Sequence, residues 1–458
     1  MKYLVIFYSI VATSTIIYFD GTGDAGDSIH HFLHAKYAFH HPVLFFDHWA
    51  KPIFVLLSSP FAQLGFTGMK VFNVLNVMLT LILTDRVASK LKIKNSVIAP
   101  VILIFTPLYF ILTFSGLTEP LFALLLILSI DKVLSKNHLA ALAIVSFLPF
   151  VRSEGLIILG VFALYYIVKH QWKLLPLLAI GHVFYSITGY FAHGDFLWVF
   201  NKIPYAKMSS TYGSGELFHF AEQLYYVIGP PIYVLFGIGL IRILFNTLKS
   251  KTKPEVGILI ILGFFGFFIA HSLFWYLGIF NSMGLKRVMI SVIPLIAIIG
   301  LIGYNSMRDI CNKVRFGILI QYVMIIYTIV FPFTSNPAAI NWKKDLSLSE
   351  DQILAKSTTD FILQNQLNQN KLIYSHPYLS FLLNVDHFDK IKKEELSKES
   401  IANMKDGDCI IWENWFSITE SGIKKAQLDK DNSLIQLYEN SGIEKGRKIF
   451  YVVYQKIK

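Results

Sequence analysis

Carboxylates, imidazoles and a lysine crowd into one polar stretch near the N-terminus, DGTGDAGDSIHHFLHAKYAFHHPVLFFDHWAKP over 20–52. Asp24 and Asp27 are three apart, so on a helical or turning backbone both can face one cavity. There they could accept a hydroxyl proton as general base or hold a divalent cation. Asp is also a good N-cap, and either residue could cap the run 28–39. His30 and His34 have the i,i+4 spacing of helix-borne metal ligands, but no third ligand and no H-E-x-x-H accompanies them, so interfacial helix polarity explains them better. His48 and Lys51 flank Trp49 and could meet a phosphate or a sugar ring; the plainer role there is aromatic anchoring at a membrane interface.

Further ionisable residues stand where helices turn. Glu119 follows Ser115-Gly116-Leu117-Thr118, while Arg152, Ser153 and Glu154 fill a very short turn. Lys286 and Arg287 open the helical run in SMGLKRVMISVIP. Charge near bilayer depth is costly, so such residues pair or line a wet cavity. Interfacial anchoring explains any one of them, but several acids and bases above helix bodies nearly free of charge point to a common polar site. The loop 193–222 adds Tyr205, Lys207, Tyr212 and Glu216 as candidate substrate contacts.

The elements that must position these residues are membrane helices. Of the 458 residues 54% are hydrophobic and 16% charged, and mean hydropathy is +0.53, which is the composition of a polytopic membrane protein. Apolar segments of spanning length recur near 71–89, 95–113, 117–134, 138–151, 155–168, 174–192, 223–247, 256–279, 288–305 and 316–333. Residues 1–19 could be a signal peptide, but no A-x-A-like cleavage site precedes Asp20, and a retained first helix brings the total to roughly eleven spans.

Residues 1–333 carry 24 Lys+Arg against 13 Asp+Glu, whereas 334–458 carry 17 of each. With the N-terminus in the cytoplasm, alternate loops place 16 of those 24 basic residues inside, as the positive-inside rule requires. The basic balance is therefore a membrane signature. No aromatic-basic platform or finger spacing suggests nucleic acid as a partner. The same topology puts the loop 20–70, the turns at 115–119, 152–154 and 281–287, and everything after Pro332 outside the cytoplasm. Cys311 and Cys409 then lie on opposite sides and cannot pair.

Within the first outer loop, 29–39 and 53–64 read as amphipathic helices lying in the interface, a floor beneath a cavity. Beyond Pro332 a helix at 349–365 and strands at 372–376, 409–414, 434–439 and 448–455 predict a small α/β domain over 334–458. The fold class expected is a polytopic α-helical transmembrane domain, 1–333, with this domain outside.

The first helix, the loop with Gly26-Asp27-Ser28-Ile29-His30-His31 and Ala35/Ala38, and the Trp49–Pro52 ending together resemble the GT-C superfamily. These are membrane glycosyltransferases using lipid-phosphate-linked sugars, among them protein O-mannosyltransferases and the aminoarabinose transferases of lipid A. Thr118-Glu119-Pro120, Arg152-Ser153-Glu154-Gly155 and Gly284-Leu285-Lys286-Arg287 extend the resemblance. It implies that the loop acid acts on the acceptor hydroxyl, a role falling on Asp27. The family often has Asp-Glu here, whereas Ser28 follows in this chain, so Asp24 could supply the second carboxylate, with or without a divalent cation.

The implied chemistry is an inverting transfer of a sugar from a polyprenyl phosphate to an acceptor glycan, lipid or protein at the outer face, in a bacterial inner membrane. Arg287, Arg152, Lys51 and Lys286 would bind the donor phosphate, and Glu119, Glu154, His48 and Tyr205 would orient the substrate. Two other classes compete: a secondary transporter, which usually has midplane charges or repeated halves, and a lipid-linked polysaccharide ligase or polymerase, which would depend on a large central loop.

Overall fold

In the computed structural model, described for residues 1–458 except 207, 314, 316, 445 and 458, the chain is a helical bundle with a small C-terminal sheet domain on one end. Among the described residues, four helices are long and apolar enough to cross a membrane: Gly65–Lys90, His219–Leu248, Glu255–Leu277 and Lys286–Cys311. Shorter apolar helices include Lys2–Tyr18, His138–Phe150, Gly155–Val168 and Gly317–Phe333. Each overlaps a segment expected from hydropathy, and Gly65–Lys90 and Lys286–Cys311 run several residues beyond 71–89 and 288–305.

Several expected spans are interrupted, and the interruptions have local causes. The segment 95–113 divides into Ile98–Ile104 and Pro107–Thr113, because Thr106 precedes a proline and takes extended backbone. The segment 174–192 becomes a 3-10 stretch, Trp172–Ala179, followed by Ile180–Thr188. His219–Leu248 bends at Gly229, whose φ of 75° lies just before Pro230 and Pro231.

The central element is Lys286–Cys311, nearly all of whose apolar body is buried. It meets His219–Leu248 backbone to backbone: a Cβ on Gly239 would stand 2.0 Å from Ile299 O, and one on Gly303 would stand 1.8 Å from Leu235 O. Small residues at such crossings let membrane helices approach closely. At the end of the bundle away from the sheet, Asp131 is buried between Arg86 Nε at 3.0 Å and Lys90 Nζ at 2.5 Å.

The two helices expected in the first loop are Asp27–Tyr37 and Pro52–Ala62. In the C-terminal domain the sheet order is β2-β1-β3-β5-β4, with β1 Leu372–Ile373, β2 Lys393–Glu394, β3 Cys409–Glu413, β4 Leu434–Glu444 and β5 Arg447–Lys456. β1 pairs parallel with β2 and β3, and β5 pairs antiparallel with β3 and β4. The two-residue β2 has no signal of its own in the sequence. The helix Glu350–Gln364 opens with a Ser349/Gln352 capping box. Both cysteines are buried free thiols.

Candidate active site

Loop 20–28 is fixed before any of its side chains can act. Gly23, at φ 84°, passes so close to the turn after Pro107–Thr113 that a Cβ would lie 2.4 Å from Ser115 Cβ. Ser28 Oγ donates to Thr22 O and accepts from Gly116 N, the latter at 2.7 Å. Asn73 Nδ2 in turn donates to Ser115 O at 2.8 Å and Leu117 O at 3.2 Å. Ser28 therefore ties the loop to the turn that presents Glu119, and Asn73 holds that turn from beneath.

Asp24 caps and also pairs. Its Oδ1 accepts Gly26 N at 3.0 Å and Ser28 N at 2.8 Å, which starts the helix Asp27–Tyr37, and its Oδ2 accepts Arg287 Nη1 at 2.5 Å. Arg287 Nη2 donates to Asp27 Oδ2. Asp27 is the first residue of its helix, and its side chain is 48% exposed, against 30% for Asp24.

Burial pushes the Asp24 carboxyl above the ordinary range against the pull of Arg287. For Asp27 burial also pushes upward, but Arg287 and His31 hold its carboxyl below that range. Of the two, Asp27 is the one whose carboxyl is held below the ordinary range and whose side chain is the more open. The guanidinium of Arg287 sits where a cation bridging the carboxylates would sit, and among the described residues no three His, Cys, Asp or Glu side chains gather into a metal-sized group. The donor set present fits an arginine-organised pair and does not fit a divalent cation.

Glu119, 1% exposed, lies between two guanidiniums. Its Oε1 is 2.8 Å from Arg152 Nη1 and 3.6 Å from Arg287 Nε, and neither contact has hydrogen-bond alignment. Arg152 also reaches Thr118 Oγ1 at 3.2 Å and Glu154 Oε1 at 3.0 Å. Lys51 Nζ donates to Ser153 Oγ at 2.8 Å, and burial pulls its ammonium down to about 8 although Glu154 opposes this. Asp24, Asp27, Lys51, Glu119, Arg152, Glu154 and Arg287, brought from four stretches of sequence, thus form one connected cluster.

The other expected residues lie around it. Tyr205 OH accepts Trp49 Nε1 at 2.9 Å. His48 packs on Trp198 at 5.6 Å between ring centroids and bonds Val199 O at 3.1 Å. The ammonium of Lys286 lies 5.7 Å from the centre of the Tyr226 ring. Tyr212 OH donates to Glu420 Oε1 at 2.9 Å, tying the loop 193–222 to the C-terminal domain. Glu216 serves through its carbonyl, which accepts His219 N at 3.2 Å, and Lys207 lies outside the described residues. His34 Nδ1 donates to His30 O at 2.9 Å, a helix contact.

His271 was not among the expected residues. It is buried on Gly263–Leu277 with Nε2 3.5 Å from Glu154 Oε1. Its signal was there to read: it is the one histidine in GFFGFFIAHSLFWYL, which holds no Asp, Glu, Lys or Arg, and an intramembrane ionisable group marks a functional site by default.

No protein-family model matches the sequence, and no curated protein matches it significantly. Two crystal structures match along nearly its whole length. ArnT from Cupriavidus metallidurans bound to undecaprenyl phosphate has a TM-score of 0.62 at 11% identity, over 98% of this chain and 97% of that one. The same protein in the apo state has a TM-score of 0.63 at 11% identity, over the same shares. The likeness establishes the fold, which this chain shares with ArnT.

Proposed function

We propose that this protein is an inverting glycosyltransferase that moves a sugar from a polyprenyl phosphate to an acceptor hydroxyl on the extracytoplasmic side. The observation that carries this reading is the cluster itself: a half-exposed Asp27 paired with Arg287, which shares Glu119 with Arg152, and Lys51 bonded to Ser153 next to Arg152. Its arrangement on a fold shared with a protein that holds undecaprenyl phosphate supports a lipid-phosphate donor. About eleven membrane spans, a division into 1–333 and 334–458, a cytoplasmic N-terminus and a bacterial inner membrane complete the proposal, supported by the distribution of basic residues.

The step is a single displacement. The acceptor oxygen attacks the anomeric carbon while its proton passes to an Asp27 carboxylate oxygen. The bond from the anomeric carbon to the phosphate oxygen breaks, and its electron pair leaves with the polyprenyl phosphate, which gains one negative charge. No second carboxylic acid is needed to protonate so good a leaving group, in contrast with glycoside hydrolysis. Arg287, Arg152 and Lys51 meet the growing charge, the arginines in bidentate fashion. Glu119 and Glu154 hold the guanidiniums in place, and Tyr205 with Trp49 offers a sugar-sized aromatic edge.

The test compares wild type with Asp27→Asn in nanodiscs, following release of polyprenyl phosphate from a panel of polyprenyl-phosphate sugars, with undecaprenyl phosphate binding measured in parallel. Retained binding with turnover reduced by ~10²–10⁴ is the expected result. A wild type that neither binds nor turns over any lipid-linked sugar would overturn it.

A further inference from the structure

We infer that the C-terminal domain is a working part of the active centre, in which Gln352 and Phe416 act as positioning residues for the loop that carries Asp24 and Asp27. The inference rests on the glycosyltransferase reading for its kinetic consequence, but its geometry stands by itself.

The loop has two walls. One is the turn 115–119 of the bundle, already described. The other is the C-terminal domain, which touches it at three points. Gly21 N donates to Leu346 O at 2.8 Å, and a Cβ on Gly21 would lie 2.4 Å from that same carbonyl oxygen. Gln352 Nε2 donates to Thr22 Oγ1 at 2.7 Å, in a contact shut off from solvent. Phe416 covers Gly26, where a Cβ would stand 3.1 Å from Phe416 Cζ and 4.0 Å from Asp24 Oδ1. The spaced glycines of DGTGDAGD thus serve different neighbours: Gly21 and Gly26 admit the C-terminal domain, and Gly23 admits the bundle.

The contact through Gln352 runs on to the carboxylates. Thr22 Oγ1, having accepted from Gln352, donates to Asp24 O at 2.7 Å, and Thr22 O accepts from Ser28 Oγ. Asp24 Oδ1 then orders Gly26 and Ser28. A rotation of the Thr22 side chain would release its hydroxyl from both Gln352 Nε2 and Asp24 O, and with them the backbone that aims Asp27.

Gln352 and Phe416 are themselves rigidly held. Gln352 Oε1 accepts Ser349 N at 3.0 Å in the capping box, which leaves its amide group a single direction. Phe416 packs on His376 at 4.6 Å between ring centroids. His376 Nε2 bonds Asp351 Oδ2 at 2.9 Å, and Tyr451 OH on β5 bonds Asp351 Oδ1 at 2.9 Å. Asp351 and Gln352 are consecutive, so one helix N-terminus bonds both the sheet and the catalytic loop. A domain that only roofed the cavity, or only bound acceptor, would not need buried polar bonds to loop 20–28.

The experiment uses full-length protein in nanodiscs. Gln352→Met keeps the side-chain length and deletes the bond to Thr22, Phe416→Ala removes the cover from Gly26, and Ser349→Ala weakens the helix cap while leaving the Gln352–Thr22 bond. Three quantities are read: amide hydrogen exchange of peptides covering 20–28, binding of undecaprenyl phosphate, and turnover of the best donor for wild type.

We expect Gln352→Met and Phe416→Ala to speed exchange in 20–28 at least tenfold and to cut kcat at least tenfold, with undecaprenyl phosphate binding within twofold of wild type. Ser349→Ala should lower thermal stability and leave exchange of the loop and kcat near wild type. Thr22→Ser, which keeps the hydroxyl, should behave like wild type, and Thr22→Val like Gln352→Met. Unchanged exchange in 20–28, or faster exchange with undiminished kcat in an active enzyme, overturns the inference. Faster exchange in the variants of a protein whose wild type turns over no lipid-linked sugar upholds the clamp and sinks the glycosyltransferase reading.

Discussion

Arg287 Nη1 lies 2.5 Å from Asp24 Oδ2 across 263 positions of chain, and the same guanidinium holds Asp27. A residue that opens one long membrane helix therefore organises both carboxylates of a loop that follows the first helix. Arg287→Gln leaves two carboxylates in one enclosed site without their cation, and one of them then takes up a proton at higher pH. We expect kcat lower by ~10²–10³ and the acid limb of the pH profile moved upward, read from rates between pH 4 and 9. Arg287→Lys, which keeps charge but loses the fork, should fall between.

Lys51 sets an alkaline limb. Its ammonium is pulled down to about 8 by burial, so it loses its charge as pH rises through that value. Binding of undecaprenyl phosphate should weaken above pH 8 in wild type. Lys51→Arg, which stays charged, should flatten the limb, and an unchanged limb in that variant would remove Lys51 from the phosphate site.

Glu119 is the counter-charge shared by Arg152 and Arg287. Glu119→Gln removes the carboxylate the two guanidiniums share while Glu154, Asp24 and Asp27 stay paired with them, so the cost stays below the ~3–5 kcal/mol of a fully uncompensated buried charge. A clear drop in melting temperature in detergent is expected. A melting temperature equal to wild type would show that Glu119 does not hold the arginines.

Stability should decline on both sides of neutral pH. Arg287 holds the Asp27 carboxyl below its ordinary range against burial, and His376 does the same for Asp351. Groups of this kind contribute stability that is present above the unfolded value, ~3.9, and is lost as pH falls through the lower folded value. His376 is the opposite case. Burial pulls it down, but Asp351 raises it above the ordinary imidazole value. Its contribution is complete below ~6.5 and is lost as pH rises through the higher folded value. Melting curves from pH 3 to 10 should show both declines, and His376→Gln should remove most of the alkaline one.

His271 faces Glu154 from an otherwise apolar helix. His271→Phe should raise KM for the donor several-fold, about 1 kcal/mol of binding, with kcat little changed if the residue steadies Glu154 and Arg152. A kcat effect of a hundredfold or more would give it a direct part in the chemistry.

The candidate site was legible in the sequence to the extent that membrane physics makes charge conspicuous. Glu119, Arg152, Glu154 and Arg287 stood out because helix bodies around them carry none, and the fold brings them together. The helical periodicity of 29–39 and 53–64 was likewise readable, and the helices Asp27–Tyr37 and Pro52–Ala62 fall within a residue or two of it. What was not legible are pairings with no local signature. Nothing near Thr22 says that Gln352 will reach it, nor does anything near Asp24 announce Arg287. Asn73 sits in an apolar helix with only its amide to mark it, and β2 has two residues. Such elements exist because tertiary neighbours complete them, and one sequence carries no record of neighbours.

The crossing of His219–Leu248 with Lys286–Cys311 has a further consequence. With Gly239 under Ile299 and Leu235 over Gly303, a slip of one residue along either helix would drive a side chain into backbone. These two rods are keyed like a lock stile and its post. A machine that rocks one half of its bundle against the other needs a greased seam there, and here the seam is pinned at the middle. The loop 193–222, by contrast, is tied to the C-terminal domain through one exposed bond from Tyr212 to Glu420, so that latch gives way far more easily than the crossing beneath it.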